Sequence, residues 1–206
     1  MTHPAPDDEA RHAEKMRKRK AARDRMMETK TDERGLLIVH TGPGKGKTSA
    51  ALGMVFRHIG HGMPVGVVQF IKSAARDTGE ARLLARFPDL VSLHVMGEGF
   101  TWETQDRARD VAAARAAWEQ AKRLIRDDRY RFVLLDELNI VLRYDYLPLD
   151  EVLDFLRDER PVNTHVVVTG RNAAPALIEM ADLVTEMTLV KHPFRAGVKA
   201  QRGIEF

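Results

Sequence analysis

The 206-residue chain has no cysteine at all. That absence excludes a thiol nucleophile, a disulfide framework and a cysteine-ligated metal, and it fits a reducing, cytoplasmic setting. Long apolar runs are also lacking. None approaches the ~20 residues needed to span a bilayer, and the charged N-terminus carries no apolar signal segment, so no membrane role is expected. Neither sign of charge dominates, with 33 basic and 30 acidic residues giving a net charge of +3. Such a balance is too even to argue for nucleic acid by itself, and no nucleic-acid partner is expected. Aromatics are scarce, at 6% of residues. The eight histidines are scattered, with no His-Glu-x-x-His among them, so they form no metal-site pattern.

What is present is an uneven chain. Residues 1–34 are densely charged, with Arg11, Lys15, Arg17, Lys18, Arg19 and Lys20 interleaved with acids, and only Ala and Met as apolar content. Strong helix formers dominate, so a helix is favoured locally, but it has little apolar face to bury. Three readings stay open: a frayed extension, a basic arm, or a helix that docks on a partner subunit or closes over a ligand. Residues 35–206 form the second part, expected to be one nucleotide-binding domain.

From Gly35 onward strands and helices alternate. Strands are predicted at 36–40, 65–71, 91–95, 132–136, 164–169 and 183–189, and helices at 47–59, 79–86, 104–127, 150–157 and 174–181. The strands are continuous runs of Val, Ile and Leu, as expected when both faces are covered. The pattern predicts an α/β fold with a mostly parallel sheet wrapped by helices. Ligands in such sheets sit at the carboxyl ends of the strands.

Residues 36–51 read LLIVHTGPGKGKTSAA. A buried strand, a turn with Gly42, Gly44 and Gly46, and a helix opening with Lys47-Thr48-Ser49 make a phosphate-binding loop. Glycines let successive backbone N–H groups face phosphate oxygens, and the helix N-terminus adds partial positive charge. Lys45 and Lys47 supply full charges, and the Thr48 hydroxyl suits Mg²⁺. Thr41 stands where the usual pattern has its first glycine.

The run Phe132-Val133-Leu134-Leu135-Asp136-Glu137 ends an apolar strand in two acids, which places carboxylates where Mg²⁺ would sit. Gln69 and Lys72 end the second strand, and Arg171 follows the fifth. The loop 97–104, GEGFTWET, holds Phe100 and Trp102 two residues apart. By spacing alone they fit a flat apolar ligand and core anchors equally well. Thr101 or Thr104 could cap the helix that follows.

Taken together, TGPGKGKT (41–48), GVVQFIK (66–72), GEGFTWETQD (97–106), LLDELN (134–139), RPVNTHVVVTGRN (160–172) and VKHPFRAGVKAQRGIEF (190–206) resemble the phosphate-loop corrinoid adenosyltransferases, over nearly all of residues 35–206. The resemblance implies a RecA-like fold. It implies transfer of the 5′-deoxyadenosyl group of ATP to the Co(I) centre of a reduced corrinoid, with triphosphate leaving. By match to the family's motif, Thr41, Gly42, Gly44, Lys45, Gly46, Lys47, Thr48, Ser49 and Arg171 would bind ATP. Thr48 and Glu137 would hold Mg²⁺, with Asp136 close by. Lys47 would face the leaving triphosphate. Phe100 and Trp102 would press on the lower face of the corrin and displace its axial ligand. A homodimer, a lid formed by the N-terminal helix and a flavoprotein reductant are further implications. Pro43 departs from a frequent Asn, and Asn139 from a frequent Thr. The competing reading is a RecA-like ATP-hydrolysing enzyme or nucleic-acid-dependent ATPase, which accounts for the loop and the acids but not for the aromatic segment.

Overall fold

A computed structural model describes residues 6–73, 78–97 and 106–204. Two compact units divide at residues 33 and 34. The first contains one long helix, α1 (Pro6–Glu28). Its described side chains are exposed, and Lys18 pairs with Glu14 one turn earlier at 2.8 Å.

The second unit runs in the order β1 (Leu37–Thr41), α2 (Lys47–Gly60), β2 (Val65–Ser73), α3 (Gly79–Leu84), β3 (Val91–Gly97), α4 (Arg107–Arg126), β4 (Phe132–Asp136), α5 (Leu138–Arg143), α6 (Leu149–Asp158), β5 (His165–Thr169), α7 (Pro175–Met180) and β6 (Leu183–Glu186). A 3₁₀ turn at Pro193–Ala196 follows. All six strands are parallel, in the order β3-β2-β4-β5-β1-β6. This is the RecA-like phosphate-loop arrangement. Strand β5 lies between β1 and β4, so the ends of all three strands open on one crevice.

Successive strand residues face opposite sides. Leu37 and Val39 join a core built with Trp118, Val133, Leu135, Val166 and Phe155. Ile38 joins a smaller core with Ala51, Leu52, Val55, Val67, Leu134 and Leu84. Helices α4 to α7 therefore cover one face, and α2 and α3 the other. On α4 the small residues Ala114, Ala117 and Ala121 bring the helix close to the sheet, and Trp118 meets Phe155 edge-on at 5.2 Å. Among the described residues no helix is long and apolar enough to cross a membrane.

Some boundaries differ from the sequence-based expectation. The strand expected to reach residue 189 stops at Glu186, because Met187 turns across the phosphate loop and accepts from the Gly44 N–H at 2.6 Å. Helix α5 was not anticipated. It is one and a half turns long, and four of its six residues are buried. The proposed caps Thr101 and Thr104 lie outside the described residues, and Asp106 caps α4 by accepting from the Arg109 N–H at 3.1 Å.

Candidate nucleotide site

The loop after β1 is shaped by close packing as much as by backbone freedom. Gly42 and Gly46 adopt φ of 94° and 107°, which L side chains rarely tolerate. Gly44 is needed for a different reason. A Cβ there would lie 2.5 Å from the Thr188 carbonyl oxygen. Thr41 replaces the customary glycine without strain because it still belongs to β1. Its carbonyl accepts from Met187 N–H at 2.9 Å and its hydroxyl from Ala173 N–H at 3.0 Å, tying the loop to both neighbouring strand ends.

Lys47 opens α2 and is nearly buried. Its ammonium donates to the Gly42 carbonyl at 2.8 Å and to that of Gly44. Burial pushes its pKa below the ordinary lysine value, Glu137 opposes that shift, and Arg171 and Lys45 add to it. Three cations from two strand ends thus bear on one place. Beneath them His40 is buried, and its Nδ1 lies 3.2 Å from the Lys47 carbonyl, placed to donate to it. Ser49 is exposed on the first turn of α2.

Asp136, at the end of β4, is completely buried and receives three side-chain donors. The hydroxyls of Thr48 and Thr169 donate to its Oδ1 at 2.7 and 2.8 Å, and Gln69 Nε2 donates to Oδ2 at 3.0 Å. Glu137 follows at φ 66°, and its N–H donates to the Thr169 hydroxyl at 2.9 Å. Asn139 Nδ2 donates to the Gly170 carbonyl at 3.1 Å. The Glu137 carboxylate lies over Gly170, where a Cβ would stand 3.2 Å from Oε2. Gly170 and Asn172, on either side of Arg171, have φ of 128° and 55°.

The structure therefore brings together Lys45, Lys47, Thr48, Asp136, Glu137 and Arg171 from distant parts of the sequence. Phe100 and Trp102 lie outside the described residues. Thr169 and His40 were not identified from sequence as site residues, and Gln69 was only marked as a strand-end polar group. The signal for all three is a polar residue at the carboxyl end of an apolar strand, which gains meaning once the strand order is known.

Such a loop, with an acid-tipped strand separated from its own by a single strand, defines a nucleotide-binding protein of the phosphate-loop class. Residues 33–206 match the family described as ATP:corrinoid adenosyltransferase BtuR/CobO/CobP, and residues 1–27 match one described as Cob(I)alamin adenosyltransferase N terminal. A corrinoid adenosyltransferase of a Sinorhizobium species is 64% identical over 98% of this chain and 95% of its own length. One from Pseudomonas aeruginosa is 58% identical over 98% of each chain. Corrinoid adenosyltransferase CobA of Salmonella typhimurium is 46% identical over 95% of this chain and 98% of its own. The chain belongs to the ATP:corrinoid adenosyltransferase family, enzymes that transfer the adenosyl group of ATP to a corrinoid.

Proposed function

We propose that the loop of residues 41–49 holds the triphosphate of ATP while Co(I) of a reduced corrinoid attacks the 5′ carbon. The cobalt–carbon bond forms as the carbon–oxygen bond breaks, and the electron pair of that bond leaves with triphosphate. The observation that carries this reading is the loop itself: Gly42 and Gly46 turn with positive φ, the Lys47 ammonium is held at the Gly42 and Gly44 carbonyls, and the Thr48 hydroxyl reaches the acid that ends β4. Co(I) is a strong nucleophile and needs no proton removed. The protein's task is to align the carbon and neutralise a departing polyanion. Lys47 would exchange the carbonyls of Gly42 and Gly44 for phosphate oxygens. Asp136, already accepting from three donors, is suited to orienting its neighbours rather than to taking a proton.

The residues present fit Mg²⁺. Thr48 gives its proton to Asp136, which leaves its lone pairs for a cation, and Glu137 adds a hard oxygen donor. Thr48 and Glu137 would hold the ion, with Asp136 behind Thr48. When bound, Mg²⁺ spreads the charge of the triphosphate. Among the described residues no cluster of three His, Asp or Glu forms, and a magnesium–nucleotide site needs only one or two carboxylates. Phe100 and Trp102 are proposed to displace the lower axial ligand of the corrin, which eases reduction of the cobalt. A cytoplasmic homodimer served by a flavoprotein reductant completes the reading.

The test supplies ATP, Mg²⁺ and a chemically reduced corrinoid. A light-sensitive cobalt–carbon product should accumulate with one triphosphate per product, resolved by ion exchange. Release of ADP at a comparable rate without corrinoid would instead support ATP hydrolysis.

A further inference from the structure

Thr169 ends β5, the strand between the loop strand β1 and the acid strand β4. It is completely buried. A threonine hydroxyl has one proton to give and lone pairs to accept with, and here both functions are in use. The proton goes to Asp136 Oδ1 at 2.8 Å, and a lone pair takes the Glu137 N–H at 2.9 Å. The second contact holds a residue whose backbone is left-handed at φ 66°, a conformation that non-glycine residues seldom adopt. The first contact acts through Asp136, which the Thr48 hydroxyl also reaches at 2.7 Å. Gln69 fixes the other carboxylate oxygen, so Asp136 cannot rotate without losing donors on both sides.

We infer that Thr169 is a positioning residue for the metal–nucleotide site: one buried hydroxyl sets both the direction of the Thr48 oxygen and the turn that carries Glu137. The inference rests on the assignment of Thr48 and Glu137 made above. It deepens that assignment by naming the residue that couples the two. Among the described residues the Thr169 hydroxyl bonds Asp136 and Glu137 and none of Lys45, Lys47 and Arg171, so its loss should affect metal affinity far more than metal-free ATP binding. Groups that orient ligands from behind are typically worth about 10–100-fold in metal affinity.

The experiment compares T169V, which keeps the volume, with T169S, which keeps the hydroxyl. Mn²⁺ is titrated into protein and ATP without corrinoid and followed by electron paramagnetic resonance. The valine variant should bind Mn²⁺ about tenfold more weakly or worse, with unchanged metal-free ATP affinity. The serine variant should stay near wild type. The Mg²⁺ concentration for half-maximal transfer should rise in parallel. A valine variant with a lower melting temperature but wild-type Mn²⁺ affinity would overturn the inference and make Thr169 ordinary packing. T169A carries the same two outcomes should T169V fold poorly. Failure of the wild-type enzyme to form the cobalt–carbon product would count against the functional reading alone, because the Mn²⁺ titration does not depend on transfer.

Discussion

Lys47 sits where a charge is costly until a polyanion arrives. Burial and the neighbouring Lys45 and Arg171 disfavour its protonated form, and Glu137 opposes them. A triphosphate held in the loop, as proposed above, would reverse that balance. The Lys47→Ala variant should fold normally and lose about 10²–10³-fold in kcat, about 3–4 kcal/mol of transition-state stabilisation. Steady-state transfer rates and a melting curve check both halves of this expectation. His165 shows the same physics at the opposite end of the sheet. Its Nδ1 accepts the Leu36 N–H at 3.1 Å, and burial with His58, Arg131 and Arg160 holds its pKa below 6.5. A depressed folded-state pKa means that the unfolded chain binds the proton more readily. This contribution to stability is therefore present above the ordinary histidine pKa and is lost as pH falls through the folded value. The His165→Gln variant keeps an acceptor and cannot titrate. Its urea midpoint should fall less steeply than wild type as pH drops below about 6.5.

At the scale of elements, the phosphate loop and the segment after β6 are one packed object. Gly44→Ala drives a methyl against the Thr188 backbone, which cannot swing aside as a side chain would. Weaker ATP binding and a lower melting temperature should follow. Gly53, within α2, meets nothing within 4 Å. Gly53→Ala should stabilise the protein by about 0.5–1 kcal/mol and leave ATP binding unchanged. Calorimetry on both variants separates space from conformation. The contrast also marks what was legible in the sequence. Strand-loop-helix order, the Lys47-Thr48 pair and the acids ending β4 follow from local pattern, because each depends on residues adjacent in the chain. Helix α5 escaped notice because LNIVLR is too short to show a period and starts from a left-handed Glu137 that no local signal announces. The role of Thr169 escaped for another reason. Its partners lie 33 and 32 residues away, on a strand whose position beside β5 only the sheet reveals.

The whole molecule divides its labour between a compact α/β unit and a charged helix. Helix α1 has exposed, mostly charged side chains and little apolar face of its own. We propose that it serves the corrinoid. Deletion of residues 1–33 should weaken corrinoid affinity well beyond ATP affinity, each measured by equilibrium binding. Equal losses for both would reject this. The sheet order has a consequence for how the enzyme comes into being. Strand β1 is the first to leave the ribosome, yet its two neighbours, β5 and β6, are the last. The Leu37 N–H finds its acceptor, Asp182 Oδ2, 145 residues later, and Gly44 finds Met187 later still. Throughout translation this buried strand therefore waits with both edges open, a state prone to pairing with other chains. The nascent polypeptide carries the whole phosphate-loop motif long before it can hold ATP, and a premature stop anywhere before β6 would leave that motif without its shape.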